Sequence, residues 1–297
     1  MAVCIGFLAQ SAMSKIFHIS ILVGLIALTG ITSAQVNNQD GLLKVYFLDV
    51  GQGDAIFIQA PNGNQILIDG GPDNSVIQKL SEVMPFQDRD IDMVILTHPH
   101  ADHLSGLVEV LERYEVHHVL QAKELYDSQE FEAWQHALAQ EETIEIEALA
   151  GQEFDLGAGA KLTVLYPIHS VAGTTTKTPH DDVVVTKLSY KDTDIVLTGD
   201  METDVEEIIT RYAVLDSEIL KVGHHGSKTS TSQKFLDAVT LQAAIIQVGK
   251  NNRYGHPTQT VLQRLENNHI PYYRTDTNGD ITLVSDGSRI IIQPNHQ

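Results

Sequence analysis

The sequence Thr97-His98-Pro99-His100-Ala101-Asp102-His103 places three imidazoles and one carboxylate close together in the chain. It follows an apolar run, Ile91–Leu96, that predicts a strand buried on both faces. It precedes a segment, Leu104–Tyr114, whose apolar spacing predicts a helix. Neutral imidazole and carboxylate are ligands for zinc, and also for manganese or iron. This stretch is therefore expected to hold metal at the end of a buried strand.

The spacing within this stretch indicates two ions. His98 and His100 alternate along the chain, so both can face one ion. Asp102 and His103 are offset from them, toward a second ion. The alternative is a surface turn that is merely rich in histidine. We expect two divalent cations, with zinc favoured and manganese possible.

Asp200 follows a second buried strand, predicted over Asp194–Leu197. A carboxylate at the end of such a strand can bridge two cations, as two-metal hydrolases require. Aspartate is also a good N-cap, and a helix is predicted over Glu202–Tyr212, so capping is the alternative role. The other histidine clusters favour the metal role.

A pair of histidines, His224 and His225, follows a third predicted strand, Glu218–Val222. One of the two should complete the second metal site. We favour His224 as this ligand because it comes directly after the strand and Gly223. His225 would then hydrogen-bond substrate or a metal-bound oxygen. A purely structural pair of histidines is the alternative.

The order of predicted elements indicates one α/β (α+β) domain over residues 42–292. Short β-rich runs separated by turn signals come first, at Lys44–Asp49, Ala55–Gln59 and Gln65–Asp69. Strands and helices then alternate, which predicts a mixed sheet with helices packed outside it. No fixed-period repeat is visible, which disfavours solenoids and propellers.

The linked motifs resemble the metallo-β-lactamase superfamily. The finer resemblance is to the soluble domain of ComEC-type DNA-uptake (competence) proteins and their free-standing relatives. It covers residues 42–285 and is carried by FLDVGQGD (47–54), LIDGG (67–71), LTHPHADH (96–103), LKVGHHGSK (220–228) and NNRYGHP (251–257). The resemblance implies a metallo-β-lactamase-like αββα sandwich with a dinuclear site at the sheet edge.

The third ligand of the first metal stays open. Many members of the superfamily supply a histidine from the loop before the strand that precedes Asp200. Here that loop contains His180 and Asp181, and relatives of this subgroup often carry Asn or Asp there. His180 or Asp181 could bind the ion, or two histidines and the bridging aspartate could hold it alone. His169 is a weaker candidate.

Other polar residues are assigned supporting roles. Asp54 and Asp69 are expected to accept hydrogen bonds from metal-binding histidines, which usually need such partners. Turn chemistry next to glycine is the alternative. His256, with Arg253 and Tyr254, could hold an anionic substrate group, or could belong to an ordered loop.

In the chemistry that the resemblance implies, four residues are candidates to act on substrate or water. Asp102 and Asp200 would hold the attacking hydroxide. His225 or His256 would assist the leaving group.

Composition limits the class of partner and suggests export. The 297 residues carry a formal net charge of -20, which disfavours a long polyanion such as DNA as partner.

The run Ile16–Ile31 predicts a signal peptide over residues 1–34, with Met13 as a possible start, so the protein is expected to be secreted or periplasmic. An uncleaved membrane anchor is the alternative. The only cysteine is Cys4, so the metal site must use histidine and carboxylate ligands.

Three functions follow from these observations. The first is hydrolysis of a phosphodiester, either small, borne on an envelope polymer, or in a nucleic acid. The second is hydrolysis of a lactone, thioester or β-lactam. The third is a non-catalytic metal-binding module of an uptake or secretion assembly.

Overall fold

The computed structural model describes residues 26–27 and 40–296. The predicted signal peptide, its alternative start and Cys4 lie outside these residues, apart from a two-residue strand. The strands are β1 Ile26–Ala27, β2 Leu43–Phe47, β3 Ile56–Gln59, β4 Gln65–Ile68, β5 Asp90–Ile95, β6 Glu115–Gln121, β7 Ile144–Glu147, β8 Glu153–Gly157, β9 Ala160–Tyr166, β10 Val185–Tyr190, β11 Thr193–Leu197, β12 Ile219–Lys221, β13 Ala243–Ile246, β14 Tyr272–Arg274, β15 Ile281–Ser285 and β16 Ile290–Pro294. The α-helices are α1 Ser75–Val83, α2 Ala101–Leu111, α3 Gln129–Leu138, α4 Thr203–Ile209, α5 Gln233–Leu236, α6 Gln259–Asn267 and α7 Thr275–Asn278.

The strands form two mixed sheets. The first has the order β16-β15-β2-β3-β4-β5-β6-β7, and the second has the order β1-β8-β9-β10-β11-β12-β13-β14. In the first sheet β2, β3 and β4 pair antiparallel, whereas β4, β5, β6 and β7 run parallel. The second sheet changes in the same way, because β9, β10 and β11 are antiparallel and β11 to β14 are parallel. Hairpins followed by βαβ units explain this pattern.

Three apolar layers show that the two sheets pack face to face with helices outside. The layer between the sheets includes Phe47 and Ile58 from the first sheet and Leu188 and Ile245 from the second. Helices α1, α2 and α3 cover the outer face of the first sheet, where Trp134 is fully buried. Helices α4, α5 and α6 cover the outer face of the second sheet. The predicted αββα sandwich is confirmed.

Helix α2 begins earlier than predicted, and helices α1 and α7 were not predicted. Helix α2 starts at Ala101 instead of Leu104, because its first turn is polar and gives no apolar signal. Helix α3 lies within the range 124–140 in which the sequence predicts a helix, and it starts after Ser128, whose side chain accepts a hydrogen bond from the Phe131 amide at 3.1 Å. Helix α7 has only four residues, which is about one turn and gives no periodic signal.

The fold brings the ends of three parallel strands to one place. β5 leads to the stretch 97–103, β11 leads to Asp200, and β12 leads to the histidine pair. Helix α2 packs directly on the loop after β4, where a Cβ at Gly106 would lie 1.9 Å from the Gly70 carbonyl oxygen.

Within residues 26–27 and 40–296, every helix is too short or too polar to traverse a membrane.

Candidate metal centre

Asp200 lies at the centre of the candidate site. Its side chain is only 2% exposed. Its Oδ2 atom lies within 4.0 Å of five imidazole nitrogens, the Nε2 atoms of His103 (3.4 Å), His225 (3.5 Å), His224 (3.7 Å), His180 (3.8 Å) and His98 (4.0 Å). Within the described part of the chain, Nε2 of His103 and of His225 has no hydrogen-bond partner. Buried nitrogens without a partner, gathered around a carboxylate, fit a metal centre.

Three histidines form the first group of ligand atoms. Nδ1 of His100 lies 2.9 Å from Nε2 of His98 and 3.1 Å from Nε2 of His180. Burial and the neighbouring imidazoles lower the pKa of all three rings, that of His100 to about 4. Neutral imidazoles with ring nitrogens this close can share a cation. The structure thus brings His180, one of the two candidates, to the first group.

Asp102, His103 and His225 form the second group. Nε2 of His225 lies 3.3 Å from Oδ2 of Asp102. Burial lowers the pKa of His225, but Asp200 and Asp54 outweigh burial and raise it to about 10. The pKa of His103 is also raised, by Asp200 and Asp69 acting against burial. This negative field is what a divalent cation would neutralise.

Hydrogen bonds from Nδ1 fix the orientation of the rings in the second group. His103 donates from Nδ1 to Oδ2 of Asp69 at 2.8 Å, as expected for Asp69. His225 donates from Nδ1 to the carbonyl oxygen of Gln247 at 2.9 Å. With Nδ1 donating, Nε2 is the nitrogen that faces the other ligand atoms, and its lone pair becomes available when a cation displaces the second proton of the ring.

A left-handed turn separates the two adjacent histidines. His224 has φ 45° and His225 has φ 52°, a region that residues other than glycine seldom adopt. As a result the His225 ring lies with the second group, which is the position we expected for His224. The His224 ring instead donates from Nδ1 to Oε1 of Glu202 at 2.8 Å. Glu202 also accepts a hydrogen bond from Thr229 Oγ1 at 2.7 Å.

The other candidates from the loop before β10 lie away from the ligand atoms. Asp181 is exposed and accepts a hydrogen bond from the Thr178 hydroxyl, while its carbonyl oxygen accepts one from the Tyr166 hydroxyl at 2.8 Å. His169 is exposed at the surface.

Sequence reasoning did not assign Glu202, Lys221 or Gln247 to the site. Glu202 is the residue before α4, and nothing in its neighbours marks it as a partner of His224. Lys221 forms an ion pair with Asp54, the residue that we expected to support a histidine. Of these three residues, only Lys221 could have been noticed in the sequence. It lies in an apolar run that predicts a buried strand, and a buried lysine is rare unless an acidic residue pairs with it.

The ligand atoms lie at the base of a cleft of about 420 Å³. His256 lies in its wall, with its ring centroid 5.5 Å from that of His224. Burial and the nearby His224 and His225 lower the pKa of His256 to about 4. The cleft is lined by Gln52, His100, Ala101, Asp102, Tyr126, Ser128, Glu130, His180, Asp200, His224, His225, Tyr254 and His256.

The fold and these ligand groups define the class of protein. Residues 48–250 match the family model described as the metallo-beta-lactamase superfamily. The chain belongs to this superfamily, as its motifs indicated.

The curated relatives place the chain more narrowly. It is 32% identical to ComE operon protein 3 of Bacillus subtilis over 80% of this chain and 32% of that protein. It is 30% identical to Recombination protein 2 of Haemophilus influenzae over 84% of this chain and 30% of that protein. The chain therefore spans about a third of the length of these relatives. A shorter match, 41% identical over 29% of this chain and 13% of that protein, is to Competence protein ComA of Neisseria gonorrhoeae. The resemblance to competence proteins is confirmed.

Solved structures share the fold at low sequence identity. The metallo-beta-lactamase fold protein YhfI of Bacillus subtilis has a TM-score of 0.55 at 13% identity, over 82% of this chain and 99% of that chain. CmlA, a diiron beta-hydroxylase of Streptomyces venezuelae, has a TM-score of 0.51 at 12% identity, over 81% of this chain and 54% of that chain. The same fold thus carries different reactions, and the reaction must be argued from the site.

Proposed function

We propose that this chain is a metal-dependent hydrolase with a dinuclear site that cleaves phosphodiester bonds. The observation that carries the proposal is the position of Asp200, whose Oδ2 lies within 4.0 Å of Nε2 atoms from both ligand groups. One carboxylate between two groups suits two cations, zinc or manganese. The first ion would be held by His98, His100 and His180, the second by Asp102, His103 and His225, with Asp200 shared.

Two divalent cations would supply a lowered water pKa and stabilisation of negative charge at the phosphorus centre. The chain's own residues then bind and orient the substrate. The buried His225 is committed to the second group, so contact with the leaving group falls to His224 and His256, which line the cleft. Glu202 orients His224, because it accepts the hydrogen bond from Nδ1 and leaves Nε2 facing the site.

The substrate class is set by charge and by the kind of site. A carboxylate-bridged pair of cations suits the two oxygens of an in-line phosphoryl displacement better than a lactone, thioester or β-lactam. The net charge of -20 weakens attraction for a long nucleic acid, whereas a small or polymer-borne phosphodiester escapes most of that repulsion. Two relatives are named as a recombination protein and a competence protein, which keeps nucleic acid as an equal candidate.

The short span of the chain relative to its relatives supports one other candidate function. A domain that corresponds to about a third of a larger protein could serve as a metal-stabilised module that binds a partner of an uptake or secretion assembly but does not hydrolyse a substrate. Such a module would hold its metals and turn nothing over.

The test is release of nitrophenol from bis(p-nitrophenyl) phosphate by the full chain, stripped of metal and reloaded with Zn²⁺ or Mn²⁺. We expect metal-dependent turnover, and a loss of at least about a hundredfold in His103→Ala. The matched control is His136→Ala on the exposed surface of α3, which should keep full activity. A chain that binds metal but gives no turnover with either ion would favour the non-catalytic module.

We also propose that the domain works outside the cytoplasm, on the strength of the predicted signal peptide. Cleavage after Ala34 would make Gln35 the first residue of the exported chain. N-terminal sequencing of the chain recovered from its producing cell tests this cleavage, and an intact N-terminus would contradict it in favour of the membrane anchor.

A further inference from the structure

Lys221 is a charged residue buried beneath the candidate metal centre. It ends strand β12, and its side chain is 0% exposed. Its ammonium group pairs with Oδ2 of Asp54, donates to the Gly199 carbonyl oxygen at 2.8 Å, and lies 3.8 Å from Oδ1 of Asp200. One cation therefore contacts two buried carboxylates and the residue that precedes one of them.

The two carboxylates that Lys221 contacts each face the candidate ligands. Asp54 is 1% exposed, and its Oδ1 lies 3.4 Å from Nδ1 of His225. The two oxygens of Asp200 face opposite ways, because Oδ1 is turned toward Lys221 while Oδ2 is turned toward the imidazoles. Oδ1 of Asp200 has no hydrogen-bond partner in residues 26–27 and 40–296, so the Lys221 ammonium is the charge that attracts it.

Stability alone does not account for a buried ion pair at this position. Removing two charges from water costs more than their attraction returns in many proteins, and a well-packed apolar pair often stabilises a fold equally well. The strand around Lys221 is otherwise apolar, with Ile219 and Leu220 fully buried. A lysine here therefore calls for a role that an apolar side chain could not fill.

We infer that Lys221 is a positioning residue of the candidate metal centre, and this inference rests on the proposed function. Its ammonium holds Asp54 and Oδ1 of Asp200 on the side of β12, so that Oδ2 of Asp200 faces both ligand groups. Without Lys221, Asp200 is free to rotate and Asp54 is free to turn toward His225. Metal binding should then weaken even though the site has become more negative.

The test is zinc affinity, measured by competition with a chromophoric chelator in the absence of substrate. We expect Lys221→Met to weaken binding of zinc by about 10- to 100-fold, the range seen when supporting partners of metal ligands are removed. A mere charge effect predicts the opposite, namely tighter binding after loss of a cation. Unchanged or tighter binding in Lys221→Met would overturn the inference.

The double variant Asp54→Asn/Lys221→Met separates positioning from pairing. It removes one charge of each sign, so the net charge stays that of the natural chain and no unpaired carboxylate is left at position 54. Positioning predicts that zinc affinity stays low, because Asp200 still lacks its ammonium partner. If the double variant recovered the zinc affinity of the natural chain, Lys221 would serve only to neutralise Asp54, and this result would also overturn the inference.

One further readout completes the experiment. The visible absorption of the Co²⁺-loaded chain should change in Lys221→Met, since the ligand geometry at Asp200 changes. Should Lys221→Met fail to fold, the double variant carries the same test because it leaves no unpaired carboxylate at position 54. A natural chain that binds zinc but hydrolyses no phosphodiester would contradict the proposed reaction and leave the positioning test intact, whereas a natural chain that binds no zinc would overturn both.

Discussion

At the residue scale, Asp69 connects the strand before the site to a histidine within it. Its Oδ1 accepts a hydrogen bond from the Thr97 amide at 2.8 Å. Its Oδ2 accepts from the Thr97 hydroxyl at 2.7 Å and from Nδ1 of His103 at 2.8 Å. Both oxygens act as acceptors, and the residue is fully buried. A carboxylate is the only side chain of this size that can accept on both sides.

Asp69→Asn should therefore weaken metal binding. The amide must place its NH₂ group against one of these donors, so either Thr97 or His103 loses its acceptor. We expect a loss of about 10- to 100-fold in zinc affinity. Competition with a chelator measures this, and Asp127→Asn at an exposed position is the control. Equal affinities in the two variants would contradict the role of Asp69.

Glu124 is a different kind of buried carboxyl, one that forms no ion pair with the residues that the structure describes. It is 5% exposed, and among the described residues its Oε1 has no hydrogen-bond partner. Burial, with a contribution from Asp182, raises the pKa of Glu124 to about 8 from its usual 4.5. The folded state therefore keeps a proton that the unfolded state releases.

The stability of the fold should fall as pH rises because of Glu124. The folded-state pKa lies above the unfolded one, so the stabilisation is complete below about pH 4.5 and is lost as pH rises through about 8. The slope from one group cannot exceed about 1.4 kcal/mol per pH unit. Urea unfolding between pH 5 and 9 should show a flatter profile for Glu124→Gln than for the natural chain. Glu132→Gln, on the exposed face of α3, should keep the natural profile, and identical profiles in all three would contradict the prediction.

At the element scale, α2 is the helix that delivers Asp102 and His103 to the site. Its contact with the loop after β4 is a backbone contact, because Gly106 lies against the carbonyl oxygens of Gly70 and Asp73. The amide of Gly70 also donates to the carbonyl oxygen of His103 at 2.7 Å. Because Gly106 has no side chain, the backbone of α2 can contact the backbone of the loop after β4 directly, and this contact sets the position of the helix relative to the first sheet.

Gly106→Ala should destabilise the fold and disturb the site together. The added Cβ would lie 1.9 Å from the Gly70 carbonyl oxygen, so the helix must move. We expect a loss of about 1–3 kcal/mol in the free energy of unfolding, as for other overpacked positions. Ser105→Ala on the same helix should change it by less than about 0.7 kcal/mol. Denaturant unfolding of both variants, with zinc affinity measured alongside, decides the matter. Equal effects of the two substitutions would contradict this packing role.

The elements also show what could be predicted from the sequence. Apolar runs that end in histidine or aspartate located the strand ends, and the alternation of strands and helices indicated the sandwich. The sequence favoured His224 for the second group, but the left-handed turn places the His225 ring there, while Nε2 of His224 also faces Asp200, at 3.7 Å. Residue type alone does not show how such a turn arranges two adjacent histidines. Glu202 and Lys221 were also missed, because each acts through a neighbour that the fold alone brings near.

At the scale of the whole molecule, the candidate ligands come from both halves of the sandwich. His98, His100, Asp102 and His103 follow β5 of the first sheet, whereas His180, Asp200 and His225 lie in loops of the second sheet. Metal binding would therefore tie the two sheets together at one edge. Related folds host other reactions, as the diiron beta-hydroxylase shows, so the arrangement of ligands carries the functional argument.

The most direct test of the account is the number of zinc ions held per chain. The purified full chain would be stripped with chelator, reloaded, desalted and measured by elemental analysis. The account predicts two ions per chain, with loss of at least one in Asp200→Asn and none lost in Asp204→Asn, an exposed position on α4. A natural chain that holds fewer than two ions, or an Asp200→Asn variant that keeps both at unchanged affinity, would contradict the shared role of Asp200.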